Sequence, residues 1–257
     1  MNIRRIPTDT RLHPRFLPRF YEGGQSAVLC LHGFTGTPSE FTYLAGRLAE
    51  AGFTVSVPRL PGHGTNARDF LSTGWRDWLR AALDARLELE NRYAPVHIVG
   101  LSMGGLLAVI LAAASAPEKL VLAAPALQIH AQPILCLSPL LKLFIRRFPQ
   151  AERKEYEEQE MNELAREYWD YHQIAQLSQL RRLQKMALRL LPRLTSPTLT
   201  IVSRTDKMVP TEVADLIADR SNTSARKRLV LEDSSHVVIN DSAKVHVADE
   251  ILSWLEP

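Results

Sequence analysis

Residues 96–114 read VHIVGLSMGGLLAVILAAA, and the reading of the whole chain turns on this stretch. Its opening VHIV is apolar and mostly β-branched but for His97, which suits a buried strand. The run from Met103 to Ala114 is apolar and too short to span a bilayer, so it reads as a helix buried in a core. Between the two, Gly100-Leu101-Ser102-Met103-Gly104 fits G-x-S-x-G. This spacing puts a serine on a tight, strained strand-to-helix turn that only small neighbours tolerate, and leaves its hydroxyl exposed. Gly100 and Gly104 are then the supports of the turn, and Ser102 is the candidate nucleophile.

Outward from this centre, similar apolar runs recur as AVLCLHG (27–33), TVSVPRL (54–60), KLVLAAP (119–125), PTLTIVS (197–203) and KRLVLE (227–232). Helical spacing appears between them. Residues 38–51 repeat Phe41, Leu44, Ala45 and Leu48, residues 75–92 repeat Trp75, Trp78, Leu79 and Leu83, and Asp241 or Ser242 is placed to N-cap a last helix. Such alternation predicts an α/β fold, a mostly parallel sheet flanked by helices. One interval breaks the rhythm: 71 residues, 126–196, lie between Pro125 and Pro197, and a single crossover helix needs far fewer. Residues 152–167 hold ten charged side chains, yet Met161, Leu164, Tyr168 and Tyr171 keep an apolar stripe. A second stripe runs through Leu177, Leu180, Leu183, Ala187 and Leu190. The expected division is a core domain, 1–125 and 197–257, with a small helical cap at 126–196.

A serine hydroxyl needs an adjacent base to become nucleophilic at neutral pH. Of the eight histidines, His236 lies in EDSSHVVIND, a strand-to-helix loop near the end of the chain. His246 falls inside the final helix and is weaker; His130, His172 and His97 lack comparable placement. The acid that orients the imidazole is expected just beyond the strand PTLTIVS, where SRTDKMVP supplies Asp206. Asp233, Glu232 and Asp241 are the alternatives, closer to His236 in sequence. Attack on an acyl carbon also creates an oxyanion that needs fixed N–H donors. The backbone N–H of Met103 is one candidate. The other comes from His32-Gly33-Phe34-Thr35-Gly36, with Phe34 N–H as the donor, Gly33 letting the loop turn in, and His32 as a scaffold residue. Pro61-Gly62-His63-Gly64 reads as a rigid turn, with His63 able to line a pocket.

The bulk numbers exclude other classes. At 46% hydrophobic and 23% charged residues the chain has ordinary globular composition. A net charge of +3 from 31 basic and 28 acidic residues, without a dense basic stripe, gives no sign of a nucleic-acid partner. No HExxH, CxxC pair or Gly-rich phosphate loop appears, so neither metal nor cofactor is expected. The charged, proline-containing MNIRRIPTDTRLHPRF does not resemble a signal peptide. Cys30, in an apolar run, reads as a buried hydrophobe. A cytoplasmic location and no stable membrane insertion are the corresponding expectations.

Taken together, HGFTG (32–36), PGHG (61–64), GLSMGG (100–105), TDKMVP (205–210) and SSHVVIND (234–241) resemble the bacterial carboxylesterases and monoacylglycerol-lipase-like members of the α/β-hydrolase superfamily. The resemblance covers nearly the whole chain outside 126–196. It implies that Ser102, Asp206 and His236 form a catalytic triad in the family's order of nucleophile, acid and base. It also implies a helical cap inserted after the sixth strand, and small-molecule esters of short to medium acyl chains as substrates, monoacylglycerols among them. The same triad would serve a thioesterase, a C–C bond hydrolase or a perhydrolase. A binding protein that keeps the fold without turnover is the alternative of another class.

Overall fold

The computed structural model describes residues 12–149, 171–223 and 225–256. Its strands in chain order are β1 (Arg19–Tyr21), β2 (Ala27–Leu31), β3 (Thr54–Val57), β4 (Val96–Leu101), β5 (Leu120–Ala123), β6 (Arg147–Pro149), β7 (Tyr171–Gln173), β8 (Thr198–Ser203) and β9 (Arg226–Leu231). Its helices are α1 (Thr42–Glu50), α2 (Ala67–Ser72), α3 (Trp75–Glu90), α4 (Met103–Ala114), α5 (Gln132–Leu141), α6 (Ile174–Leu190), α7 (Val213–Arg220) and α8 (Lys244–Leu255). Seven strands form one sheet in the order β1-β3-β2-β4-β5-β8-β9, and β6 pairs with β7 alone. Only β1 runs antiparallel to its neighbour within the large sheet.

Parallel strands covered by helices on both faces have no solvent side, so their sequences need not alternate. Accordingly every residue of β2, β4, β5 and β8 is buried. At the edge, β9 exposes Arg226 and Arg228 on alternate positions, which guards its open rim against further pairing. Helix α4 is buried from Met103 through Ala112, as its unbroken apolar sequence requires. Helix α1 packs with α8, whereas α3, α4 and α6 pack together.

The strand order reverses direction at β2. From there the chain moves to β3 on one side and later to β4 on the other, and the crevice at such a reversal lies at the carboxyl ends of the strands. In this crevice β2 and β4 are direct neighbours, with Leu31 opposite Gly100.

Several expectations change. All six anticipated strands of the sheet are present, but β1, three residues at the edge, carries no sequence signal strong enough to find it. Residues 38–41 open as a 3-10 turn before α1. The last helix is not N-capped by Asp241 or Ser242; its N-cap is Ala243, and the buried Asp241 bonds both the loop before it and the Ala243 N–H. The interval 126–196 holds α5 and α6, which pack on each other, and the strand pair β6–β7. Its second half, α6, buries Leu177, Leu180, Leu183 and Ala187 against a surface that includes α4, and leads through a 3-10 turn, Leu191–Arg193, back to β8. It is thus the crossover helix between β5 and β8. The interval follows β5, the fifth strand among the described residues. Met161, Leu164 and Tyr168 lie outside the described residues.

Candidate active site

At the end of β4 the chain must turn into α4 within one residue, and Ser102 takes that residue's strain: φ 54° and ψ −113°. A side chain other than glycine's rarely holds this conformation, and it persists here because the surroundings over-determine it. The Ser102 N–H donates to the Ala123 carbonyl at 2.9 Å, and its own carbonyl accepts from Gly105 at 3.0 Å and Ala126 at 3.1 Å. The close packing rests on missing Cβ atoms. One added at Gly104 would overlap the Leu31 carbonyl, and one at Gly100 would overlap Gly104. The Ser102 residue is 8% exposed.

Because β2 lies beside β4, the loop after β2 arrives next to the serine. A Cβ on Gly33 would sit 3.5 Å from the Ser102 Cβ. The loop closes with the Gly36 N–H on the Gly33 carbonyl at 3.2 Å, with Thr35 at φ 61°. The Phe34 ring packs against Phe70 and Trp78, at centroid distances of 5.4 and 6.1 Å. Met103 is the first residue of α4, so its N–H lies in the helix's first turn, where amides have no intrahelical acceptor. His32 is buried beneath the loop: Nδ1–H donates to the Gly33 carbonyl, and Nε2 accepts the Leu60 N–H, both at 3.0 Å. Burial, with Arg59 nearby, pulls its pKa down to about 4, and this neutral ring braces one loop against another.

From the other side of the sheet, β8 and β9 deliver two more loops. The His236 Nε2 lies 2.9 Å from Ser102 Oγ and its Nδ1 2.8 Å from Asp206 Oδ2. The second Asp206 oxygen accepts the N–H groups of Met208 at 2.7 Å and Val209 at 3.1 Å. Burial works against both charges. It is outweighed at His236 by the Asp206 charge and hydrogen bond and by the Glu40 charge, so the imidazole pKa lies above its usual value. It is outweighed at Asp206 by the His236 charge and hydrogen bond and by the two amides, so the carboxyl stays below its usual value.

The remaining candidates stand elsewhere. Asp233 accepts from Thr205, Glu232 pairs with Arg204, and Asp241 accepts from the Ser234 hydroxyl and the Ser235 N–H. His97 bonds Ser26 at 3.1 Å. His246 is exposed on α8, and nothing is described of the His172 side chain. His63 is buried with its Nδ1–H on the Pro61 carbonyl, edge-on to Phe70 and Trp78. Its Nε2 has no hydrogen-bond partner among the described residues. No group of three or more metal-ligating side chains, and no helix long and apolar enough to cross a membrane, occurs among the described residues.

A sequence profile described as the alpha/beta hydrolase family matches residues 28–249. The chain belongs to that family. It is 27% identical to a carboxylesterase of Bacillus subtilis (strain 168) over 242 residues, 93% of this chain and 96% of that one. A thermostable monoacylglycerol lipase of Bacillus sp. (strain H-257) is 43% identical over 95 residues, 37% of this chain and 38% of that protein. Among solved structures, one described with the metagenome-derived lipolytic enzymes LipS and LipT superposes with a TM-score of 0.85 at 28% identity, covering 95% of this chain and 99% of that one. The family's named relatives here are thus esterases and lipases.

Glu40 escaped the sequence, and Asp241 reads there only as an alternative acid or a helix cap. Glu40 and Asp241 are each 1% exposed and each holds a loop from behind. Nothing in TPSEF marks Glu40 as buried, and Asp241 looks like a helix cap.

Proposed function

We propose that the chain is a serine carboxylesterase acting through an acyl-enzyme. The observation that carries this reading is the unbroken hydrogen-bonded line from Ser102 Oγ through both nitrogens of His236 to Asp206, at 2.9 and 2.8 Å. The carboxylate accepts from Nδ1–H, which leaves the Nε2 lone pair facing the serine hydroxyl. As Ser102 Oγ bonds to the ester carbon, its proton passes to Nε2, and the carbonyl electrons collect on an oxyanion held by the N–H groups of Met103 and Phe34. Collapse expels the alkoxide, which takes the proton from Nε2. Water then repeats the sequence on the acyl-enzyme and releases the acid.

The acyl chain is assigned to the cap at 126–196. Its start is fastened to the site by Ala126 N–H on the Ser102 carbonyl at 3.1 Å and by His130 N–H on the Met208 carbonyl at 2.9 Å. The likeness to a carboxylesterase and a monoacylglycerol lipase supports carboxylic esters, monoacylglycerols among them. The test is fluorophosphonate labelling followed by a graded panel of p-nitrophenyl and glyceryl esters with a thioester control. Stoichiometric labelling at Ser102 and faster turnover of esters than of the thioester are expected. A preferred thioester would overturn the ester assignment, and absence of labelling the covalent mechanism.

A further inference from the structure

Glu40 is a carboxylate with 1% exposure, carried on the 3-10 turn Pro38–Phe41. An ionised carboxylate is costly to bury unless bonded, and packing alone gives no reason to keep one. Its oxygens face the loop that follows β2 at both ends. Oε2 accepts the Gly33 N–H at 2.8 Å, and Gly36 approaches so closely that a Cβ there would overlap the carboxylate. Phe34 and Thr35 lie between these two points, with Thr35 at positive φ. The turn is therefore bonded to the carboxylate at Gly33 and packed closely against it at Gly36.

We propose that Glu40 is a positioning residue, whose carboxylate fixes the 33–36 turn so that the Phe34 N–H faces the developing oxyanion. This rests on the reading of Ser102 as the nucleophile. A second effect accompanies the clamp. The charged groups acting on His236 are Asp206 and Glu40, with the Ser102 hydroxyl as its neutral partner. Both anions favour the imidazolium that forms as the serine is deprotonated.

The experiment uses the full chain carrying Glu40→Ala, Glu40→Gln or Glu40→Asp, beside Ser102→Ala, with kcat, KM and melting temperature measured across the pH range. A donor that shifts by a fraction of an ångström is lost chiefly in the transition state. Glu40→Ala is therefore expected to lower kcat about 10- to 100-fold with KM changed less than about threefold. Glutamine keeps the acceptor and the volume. Glu40→Gln should recover about tenfold of that loss, while the acid limb of kcat/KM moves to lower pH because one negative charge acting on His236 is gone. Glu40→Asp keeps the charge but not the reach, and should not recover kcat.

If Glu40→Ala does not fold, the glutamine and aspartate variants carry the test alone. An unchanged kcat in folded Glu40→Ala, or an acid limb unmoved in Glu40→Gln, would overturn the proposal. Should Ser102→Ala retain hydrolysis, the nucleophile reading itself fails; an inactive Ser102→Ala beside wild-type kcat and acid limb in the Glu40 variants sinks the Glu40 assignment alone.

Discussion

Beneath Ser102 the chain is closed by backbone against backbone, whereas around His236 it is closed by side chains. The turn after β4 relies on Gly104 lying against the Leu31 carbonyl and on the amides of Gly105 and Ala126 reaching the Ser102 carbonyl. The loop after β9 relies instead on buried polar groups. Asp241 accepts from the Ser234 hydroxyl and from the N–H groups of Ser235 and Ala243, while Ser203 and Thr205 both donate to the Ser234 carbonyl. Strand β9, which ends in the His236 loop, is the edge of the sheet, β8, which ends in the Asp206 loop, lies next to it, and β4 lies in the middle. A strained turn in a close-packed core can be held by shape alone, because every neighbour is fixed. A loop that must reach from the edge back to the serine has few such neighbours and is held by directional bonds. Damage to the first region should cost the fold, and damage to the second should cost the rate.

The largest expected effect is on the reacting atom. Ser102→Ala should lower kcat by about 10⁵- to 10⁶-fold without unfolding the chain, and Ser102→Ala with His236→Ala should be scarcely worse, since the groups act as one unit. Steady-state kinetics of the single and double variants check this, and multiplicative losses would break the pairing. Next, Asp206→Asn should cost about 10⁴-fold with the melting temperature nearly preserved, because the amide favours the wrong imidazole tautomer. The same variant gives the sign of the electrostatics. Asp206 raises the His236 pKa, and only the neutral imidazole accepts the serine proton. The wild-type acid limb of kcat/KM should therefore lie above about 6.5, and it should fall when the carboxylate is removed.

On the backbone side, Gly104→Ala should lose roughly 3 kcal/mol or more of stability, since the new methyl meets a carbonyl fixed in the central strand. Denaturant melts decide it, and a stable, active Gly104→Ala would refute the contrast between the two regions. The smallest expected effect is Asp241→Asn, which leaves a buried donor poorly matched at a cost of about 1–3 kcal/mol. A modest drop in melting temperature with roughly tenfold lower kcat is expected, because the loop carrying His236 loosens. An unchanged rate would mean that the His236 loop is held without it.

Legibility followed the same divide. The turn at Ser102 was readable because strand, turn and helix are consecutive, and because a glycine requirement is a local property. Asp206 and His236 were readable by their places just after strands. Less legible was the interval 126–196, where the amphipathic stripe Leu177, Leu180, Leu183 and Ala187 states that a face is buried, not against what. Its partner includes α4, some 70 residues earlier in the chain. The run PILCLSPLLKLF (133–144) is mostly apolar, yet Leu135 is buried while Leu140 and Phe144 are exposed.

By itself, the sequence determined the six main strands of the sheet, the strained serine turn and the residue types able to supply nucleophile, base and acid. These follow from periodicity, chain connectivity and the tolerance of single positions for a Cβ. Only the tertiary structure decided which acid reaches His236, since Asp206, Glu232, Asp233 and Asp241 all lie near the ends of β8 and β9 and differ in the direction their carboxylates face. It alone put Glu40 behind the 33–36 turn and Asp241 beneath the His236 loop. A buried carboxylate is specified by the groups that surround it in space, and those groups come from distant parts of the chain, so no window of sequence contains them.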